Sequence, residues 1–114
     1  MEEASRDPLE IEVQRSDERT LVALSGELDA ATASALYDKL SDLEVAQTQH
    51  VVLDLAKVTF MDSTGLAVIV TEHKRLQHSE GSLTIFAPPS SVRRLFEITG
   101  LTTVLDIVPA DEEH

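Results

Sequence analysis

The side chains most able to do chemistry fall in one short run, Phe60-Met61-Asp62-Ser63-Thr64-Gly65-Leu66. It sets a carboxylate, two hydroxyls and a glycine in successive positions. An aspartic protease would use an Asp-Ser/Thr-Gly triplet, but here both Ser63 and Thr64 separate Asp62 from Gly65. Such a protease also needs an all-β fold, which the periodicity of this chain contradicts. A serine hydrolase would place its nucleophile in a Gly-x-Ser-x-Gly elbow with a histidine as base. Met61 occupies the first glycine position of that elbow, and only Gly65 matches. The four histidines are His50, His73, His78 and His114. His114 is terminal, His50 precedes a strand, and His73 lies about three helical turns beyond Ser63. His73 and His78 are five apart, which misses the i, i+4 spacing of a helical metal pair. They read as helix-face side chains. The four glycines are too scattered to cradle a phosphate, and no cysteine exists for disulfide, thiolate or thiol chemistry.

What remains is Ser63 as a hydroxyl that is acted upon. Asp62 and Ser63 are both residue types that cap a helix by accepting hydrogen bonds from its first N–H groups. Either could fill that structural role here. A hydroxyl at a helix N-terminus also lies where free N–H groups and the macrodipole favour an anion. A phosphate there would add about −1.5 to −2 charge beside Asp62, on a surface bounded by Phe60, Met61 and Leu66. At an interface that charge would be disruptive, through its desolvation cost and its repulsion with Asp62. The fold itself would tolerate it.

The surrounding elements can be read from their hydrophobic period. Leu9, Ile11 and Val13 alternate with Glu10, Glu12 and Gln14, a half-buried strand. Arg15-Ser16-Asp17-Glu18 makes a turn, and Leu21 to Leu24 forms the second arm of a hairpin closed by Gly26. From Asp29 the spacing becomes helical, with Ala33, Leu36, Tyr37, Leu40 and Leu43 on one stripe and Asp29 or Thr32 as N-cap. Val51 to Leu55 reads as a central strand and Lys57 to Asp62 as a connector. A second helix starts near Ser63, with Leu66, Ile69, Val70, His73 and Leu76 or Gln77 on one face. Gly81 stands at its expected C-terminus. Leu83 to Phe86 is a strand, and Pro88-Pro89 breaks the chain. Ser90 or Ser91 caps a short helix with Val92, Leu95 and Phe96, which Gly100 ends. Val104 to Val108 makes a last edge strand. The order β-β-α-β-α-β-α-β predicts a single-domain α/β fold, a mixed sheet with helices packed on it.

At 114 residues the chain is of single-domain size and buries roughly two-thirds of its unfolded surface. Residues 1–8 and 111–114 read as tails around a domain at 9–110, the second tail being acidic. The N-terminus lacks the basic start and apolar core of a signal peptide, and no apolar run approaches the ~20 residues of a membrane span. A cytoplasmic protein is expected. The 21 acidic against 9 basic side chains give a net charge of −12. That balance argues against nucleic acid and anionic membrane as partners, since both need a basic face. It can steer the chain toward a basic protein patch.

The chain resembles the STAS domains, and within them the anti-sigma factor antagonists. Leu24-Ser25-Gly26-Glu27-Leu28-Asp29 carries part of the likeness. Val51 to Leu55 followed by the Phe60–Leu66 run is the most specific part, and Val92 to Leu101 completes it. The resemblance spans residues 9 to 108 in family order. It implies a bacterial signalling protein that binds an anti-sigma factor which is also a serine kinase, and so frees a sigma factor for transcription. The kinase would phosphorylate Ser63 and end productive binding; a serine phosphatase would restore it. Asp29 would lie near Ser63, and Asp29, Asp62, Thr64, Gly65 and Leu66 would form the partner surface. Thr64 stands where many relatives have serine, a second-choice acceptor. ATP belongs to the kinase, so the chain needs no cofactor, holds no metal and has no catalytic residue. The free protein is expected to be a monomer. The alternative is a STAS subunit of a lipid- or anion-transport complex that does not switch by phosphorylation.

Overall fold

The computed structural model describes residues 8–109. Apart from Pro8, the tails expected at 1–8 and 111–114 lie outside the described residues. The alternating segment forms β1 (Leu9–Arg15), paired antiparallel with β2 (Thr20–Leu28). The register sets Ile11 opposite Leu24 and Val13 opposite Val22, so the apolar side chains of both strands share one face. Ser16 closes the turn, its hydroxyl donating to the Arg19 carbonyl at 2.7 Å.

The chain continues through α1 (Ala33–Val45), β3 (His50–Met61), α2 (Ser63–His78), β4 (Ser82–Phe86), α3 (Ser91–Ile98) and β5 (Asp106–Val108). This is the expected element order. The sheet is ordered β1-β2-β3-β4-β5, and every pair after the hairpin is parallel. Each crossover therefore advances one strand in the same direction. Crossovers between parallel strands are right-handed, so the connecting helices fall on the same face. The core agrees: Leu36, Leu40 and Leu43 of α1, Leu66, Ile69 and Leu76 of α2, and Val92 and Phe96 of α3 join Val22, Leu24, Leu53 and Ile85 in one cluster.

Several details depart from the expectations. β2 passes through Gly26 and ends at Leu28, and β3 continues through the supposed connector Lys57–Asp62 as far as Met61. Parallel pairing is what carries both strands on. Lys57, Val58 and Phe60 stand opposite Ser25, Gly26 and Glu27, with irregularities between Ala23 and Ser25 and between Gly26 and Glu27. Those irregularities break the period-two pattern, which is why the extension reads as a connector. Gly26 has φ +114°, and a Cβ there would lie 2.0 Å from the Pro8 carbonyl oxygen, so only glycine fits. The last strand is shorter than expected, because a 3₁₀ turn at Leu101–Thr103 precedes it and Val104 is exposed.

The helix faces are also corrected. Tyr37 of α1 is 53% exposed and does not belong to the buried stripe. On α2 the inward position after Ile69 is Glu72, only 5% exposed, while His73 is half-buried. Arg75 explains how a carboxylate is accommodated. Its Nε and a terminal nitrogen donate to the two Glu72 oxygens at 2.9 and 2.6 Å. These bonds push the guanidinium pKa above its ordinary value, keeping it charged. At the C-terminus of α2 the left-handed residue is Glu80, φ 63°, not Gly81, whose N–H bonds to the Leu76 carbonyl at 2.7 Å.

A buried carboxylate that loses its paired cation is costly. Arg75→Ala should therefore lower unfolding free energy by about 2–3 kcal/mol, a little under the full buried-pair value because Arg75 reaches solvent. Urea denaturation measures the loss, and a change below about 0.5 kcal/mol would show that Glu72 does not depend on Arg75.

Candidate functional site

The site is built where β2 and β3 end side by side. Leu28 and Met61 are register partners, and the Asp62 N–H donates to the Leu28 carbonyl at 3.2 Å. Asp29 therefore leaves the sheet beside Asp62, and Ser63 opens α2 next to it. Of the Phe60–Leu66 run, Met61, Gly65 and Leu66 are buried, Asp62 is half-buried, and Phe60, Ser63 and Thr64 are exposed. The apolar border expected from Phe60, Met61 and Leu66 thus reduces to Phe60 at the surface.

Asp62 is the N-cap of α2. Its backbone is extended, and one carboxylate oxygen accepts the N–H groups of Thr64 at 2.9 Å and Gly65 at 3.2 Å. The choice between Asp62 and Ser63 as cap is settled in favour of Asp62. The Ser63 hydroxyl, among the described residues, has no hydrogen-bond partner. It stands at the first helical position, exposed and unused.

Gly65 lets the helix start sit this close to the sheet. A Cβ on Gly65 would meet the Leu28 side chain at 2.5 Å and the Leu28 carbonyl oxygen at 3.1 Å. Leu66 follows it into the core. Gly65 and Leu66 therefore position the corner from beneath, whereas Asp29, Asp62 and Thr64 present atoms at its surface. Asp29 is held by its own turn. One oxygen accepts the Ala31 N–H at 3.0 Å and the Thr32 N–H at 3.2 Å. Thr32 is the N-cap of α1 by position but makes no side-chain cap bond. Its hydroxyl accepts the Asp29 N–H at 3.0 Å and donates to the Glu27 carbonyl at 2.8 Å. Asp29 is thus fixed at the corner.

Among the described residues no group of three or more His, Asp or Glu could hold a metal ion. His50 bonds Ser82 at the far end of the sheet, and His78 bonds the Lys74 carbonyl in the last turn of α2. Neither is beside Ser63. A depression of about 760 Å³ is also remote, between the ends of α1 and α2 at Glu44, Gln49, Arg75 and His78. No helix among the described residues is long and apolar enough to cross a membrane.

The mixed sheet, with its parallel crossovers from β2 onward, thus presents a capped helix start and an exposed serine at the corner where β2 and β3 end. The chain belongs to the STAS domain family, whose model matches residues 10–114. It is 34% identical over 106 residues to the anti-sigma-B factor antagonist of Listeria monocytogenes, covering 92% of this chain and 93% of that one. The anti-sigma-B factor antagonist of Staphylococcus aureus is 34% identical over 99 residues, covering 87% and 92%. Among solved structures, an anti-sigma factor antagonist from Mycobacterium paratuberculosis superposes with a TM-score of 0.85 at 27% identity, covering 92% of this chain and 89% of that one. The unphosphorylated antagonist SpoIIAA has the same fold, TM-score 0.72 at 20% identity, covering 91% and 92%.

The division of labour at the corner is measurable. Asp62→Ala should cost about 1 kcal/mol of stability through the lost cap. Gly65→Ala should cost about 1–3 kcal/mol through overpacking against Leu28. Ser63→Ala should stay within about 0.5 kcal/mol of wild type. Thermal and urea unfolding of the variants test this, and a Ser63→Ala loss as large as that of Asp62→Ala would mean that the serine shares the cap.

Proposed function

We propose that this chain is an anti-sigma factor antagonist, a cytoplasmic regulatory binding protein rather than an enzyme, switched by phosphorylation of Ser63. In the unphosphorylated state it binds a cognate anti-sigma factor that is also a serine kinase, and so frees a sigma factor. The observation that carries the reading is the free, exposed Ser63 hydroxyl beside an aspartate that already caps the helix. The relatives bearing the antagonist name match nearly the whole chain, which supports the same role here.

In the forward step the Ser63 hydroxyl oxygen attacks the terminal phosphoryl group of ATP held by the kinase. Its proton passes to a base of the kinase, and ADP leaves. The product carries about −1.5 to −2 charge at the start of α2. The cap on Asp62 is untouched, so the domain stays folded. The interface must now desolvate a dianion next to the Asp62 carboxylate, and binding weakens. A serine phosphatase returns the hydroxyl by hydrolysis. Asp29, Asp62 and Thr64 form the contact surface around Ser63, with Gly65 and Leu66 holding the helix start in place. The domain spans residues 9–110 and is a monomer when free.

Incubation with the host's serine-kinase anti-sigma factors and ATP, followed by mass spectrometry, tests the assignment. One phosphoryl group is expected on Ser63. Ser63→Ala should still bind the kinase but remain unmodified, and Ser63→Asp should bind about tenfold more weakly or worse. No modification by any of these kinases, phosphate on Thr64 alone, or a Ser63→Asp protein that binds as tightly as wild type would overturn the switch. Ester or peptide hydrolysis that vanished in Ser63→Ala would replace it with an enzyme.

A further inference from the structure

Among the described residues, the large apolar side chains at least half exposed are Tyr37 and Val45 on α1, Phe60 on β3, Ile98 on α3, and Val104 after the 3₁₀ turn. Phe60 alone of these lies on a strand, and it alone lies within three residues of Ser63. Its orientation follows from the register. Leu28 and Met61 are partners whose side chains enter the core beneath the helices. Phe60 and Glu27, the preceding pair, therefore point to the opposite side of the sheet. Phe60 is 50% exposed there, with the exposed Glu27 across from it on β2.

We propose that Phe60 is the anchor by which the phosphorylating partner grips this corner, seating in an apolar pocket of that partner ringed by Arg or Lys; this rests on the function proposed above. The setting has the features of an interface hot spot: a large aromatic on rigid backbone, next to the chemistry and bordered by charge. Its strand is tied to β2 both before and after Phe60. Thr59 bonds the Gly26 carbonyl at 3.3 Å, and Asp62 bonds the Leu28 carbonyl at 3.2 Å. Little order is left to lose on binding. Glu27 across from it and the corner carboxylates Asp29 and Asp62 outnumber Lys57 further back on β3, in a chain of net charge −12, so the complementary surface is basic. Ser63 lies around the Asp62 corner from Phe60. Affinity and switching are thereby assigned to different side chains: Phe60 supplies contact that is independent of charge, and Ser63 supplies the charge that ends it.

The test measures binding of the full chain to the kinase that modifies it, by calorimetry or biolayer interferometry. Phe60→Ala should weaken binding about 10- to 100-fold and raise the KM for phosphorylation, with an unchanged melting temperature because the ring is exposed. Phe60→Leu should fall between. Ile98→Ala, which removes a more exposed apolar group far from the corner, should bind as wild type. Glu27→Gln rather than Phe60→Ala should flatten the salt dependence. Binding of Phe60→Ala within twofold of wild type, while wild type binds and is phosphorylated, overturns the anchor and leaves the switch standing. A wild-type chain that neither binds nor is phosphorylated overturns both. A concentration-dependent dimer abolished by Phe60→Ala would assign the side chain to a second copy of this chain and overturn the partner reading.

Discussion

The parallel pairing of β2 with β3 determines where everything else at the working end must be. Because the register, after its irregularity between Gly26 and Glu27, ends with Leu28 opposite Met61, both chains leave the sheet at the same level. Asp29 and Asp62 then emerge as neighbours from segments far apart in sequence. The backbone bond from Asp62 to the Leu28 carbonyl ties the two exits together. Gly65 removes the side chain that would push α2 away from Leu28. A one-residue slip would turn Met61 outward, turn Phe60 into the core, and carry Ser63 away from Asp29.

At the corner, structural work and chemical presentation fall to adjacent residues. Asp62 satisfies two N–H groups of α2, and Asp29 satisfies two in the turn that leads to α1. Helix starts usually use Ser, Thr, Asp or Asn for this purpose, and a serine employed as a cap has its oxygen committed. Here the aspartate takes the role and Ser63 is released from it. The cap and the free hydroxyl are therefore complementary features of one junction, not competing readings of it.

Much of this was legible in the residues. The alternation of Leu9, Ile11 and Val13, the helical spacing of Leu36, Leu40 and Leu43, and the prolines after Phe86 each report a local preference that the fold obeys. The upper half of β3 was not legible, because Lys57 and Thr59 interrupt its period and its pairing with β2 contains irregularities. The burial of Glu72 was hidden for another reason. A carboxylate reads as solvent-facing until the geometry shows Arg75 returning to meet both of its oxygens. Asp62 and Ser63 were equivalent as caps in sequence, since only backbone dihedral angles and distances distinguish them. The outward direction of Phe60 depends in turn on the register, which no single strand reveals.

The single direction of winding has a consequence for how the molecule moves in solution. Each of α1, α2 and α3 begins at the end of the sheet where the parallel strand before it finishes, so the positive poles of three helix macrodipoles gather at one rim. The same rim carries Glu27, Asp29 and Asp62, whose negative charges lie outermost. Charge of opposite sign is thus layered at one end, with the peptide poles beneath and the carboxylates above. The opposite end of the sheet receives the helix C-termini instead. In an approaching partner's field such a body experiences a torque as well as an attraction. It is turned during diffusion, before any side chain makes contact.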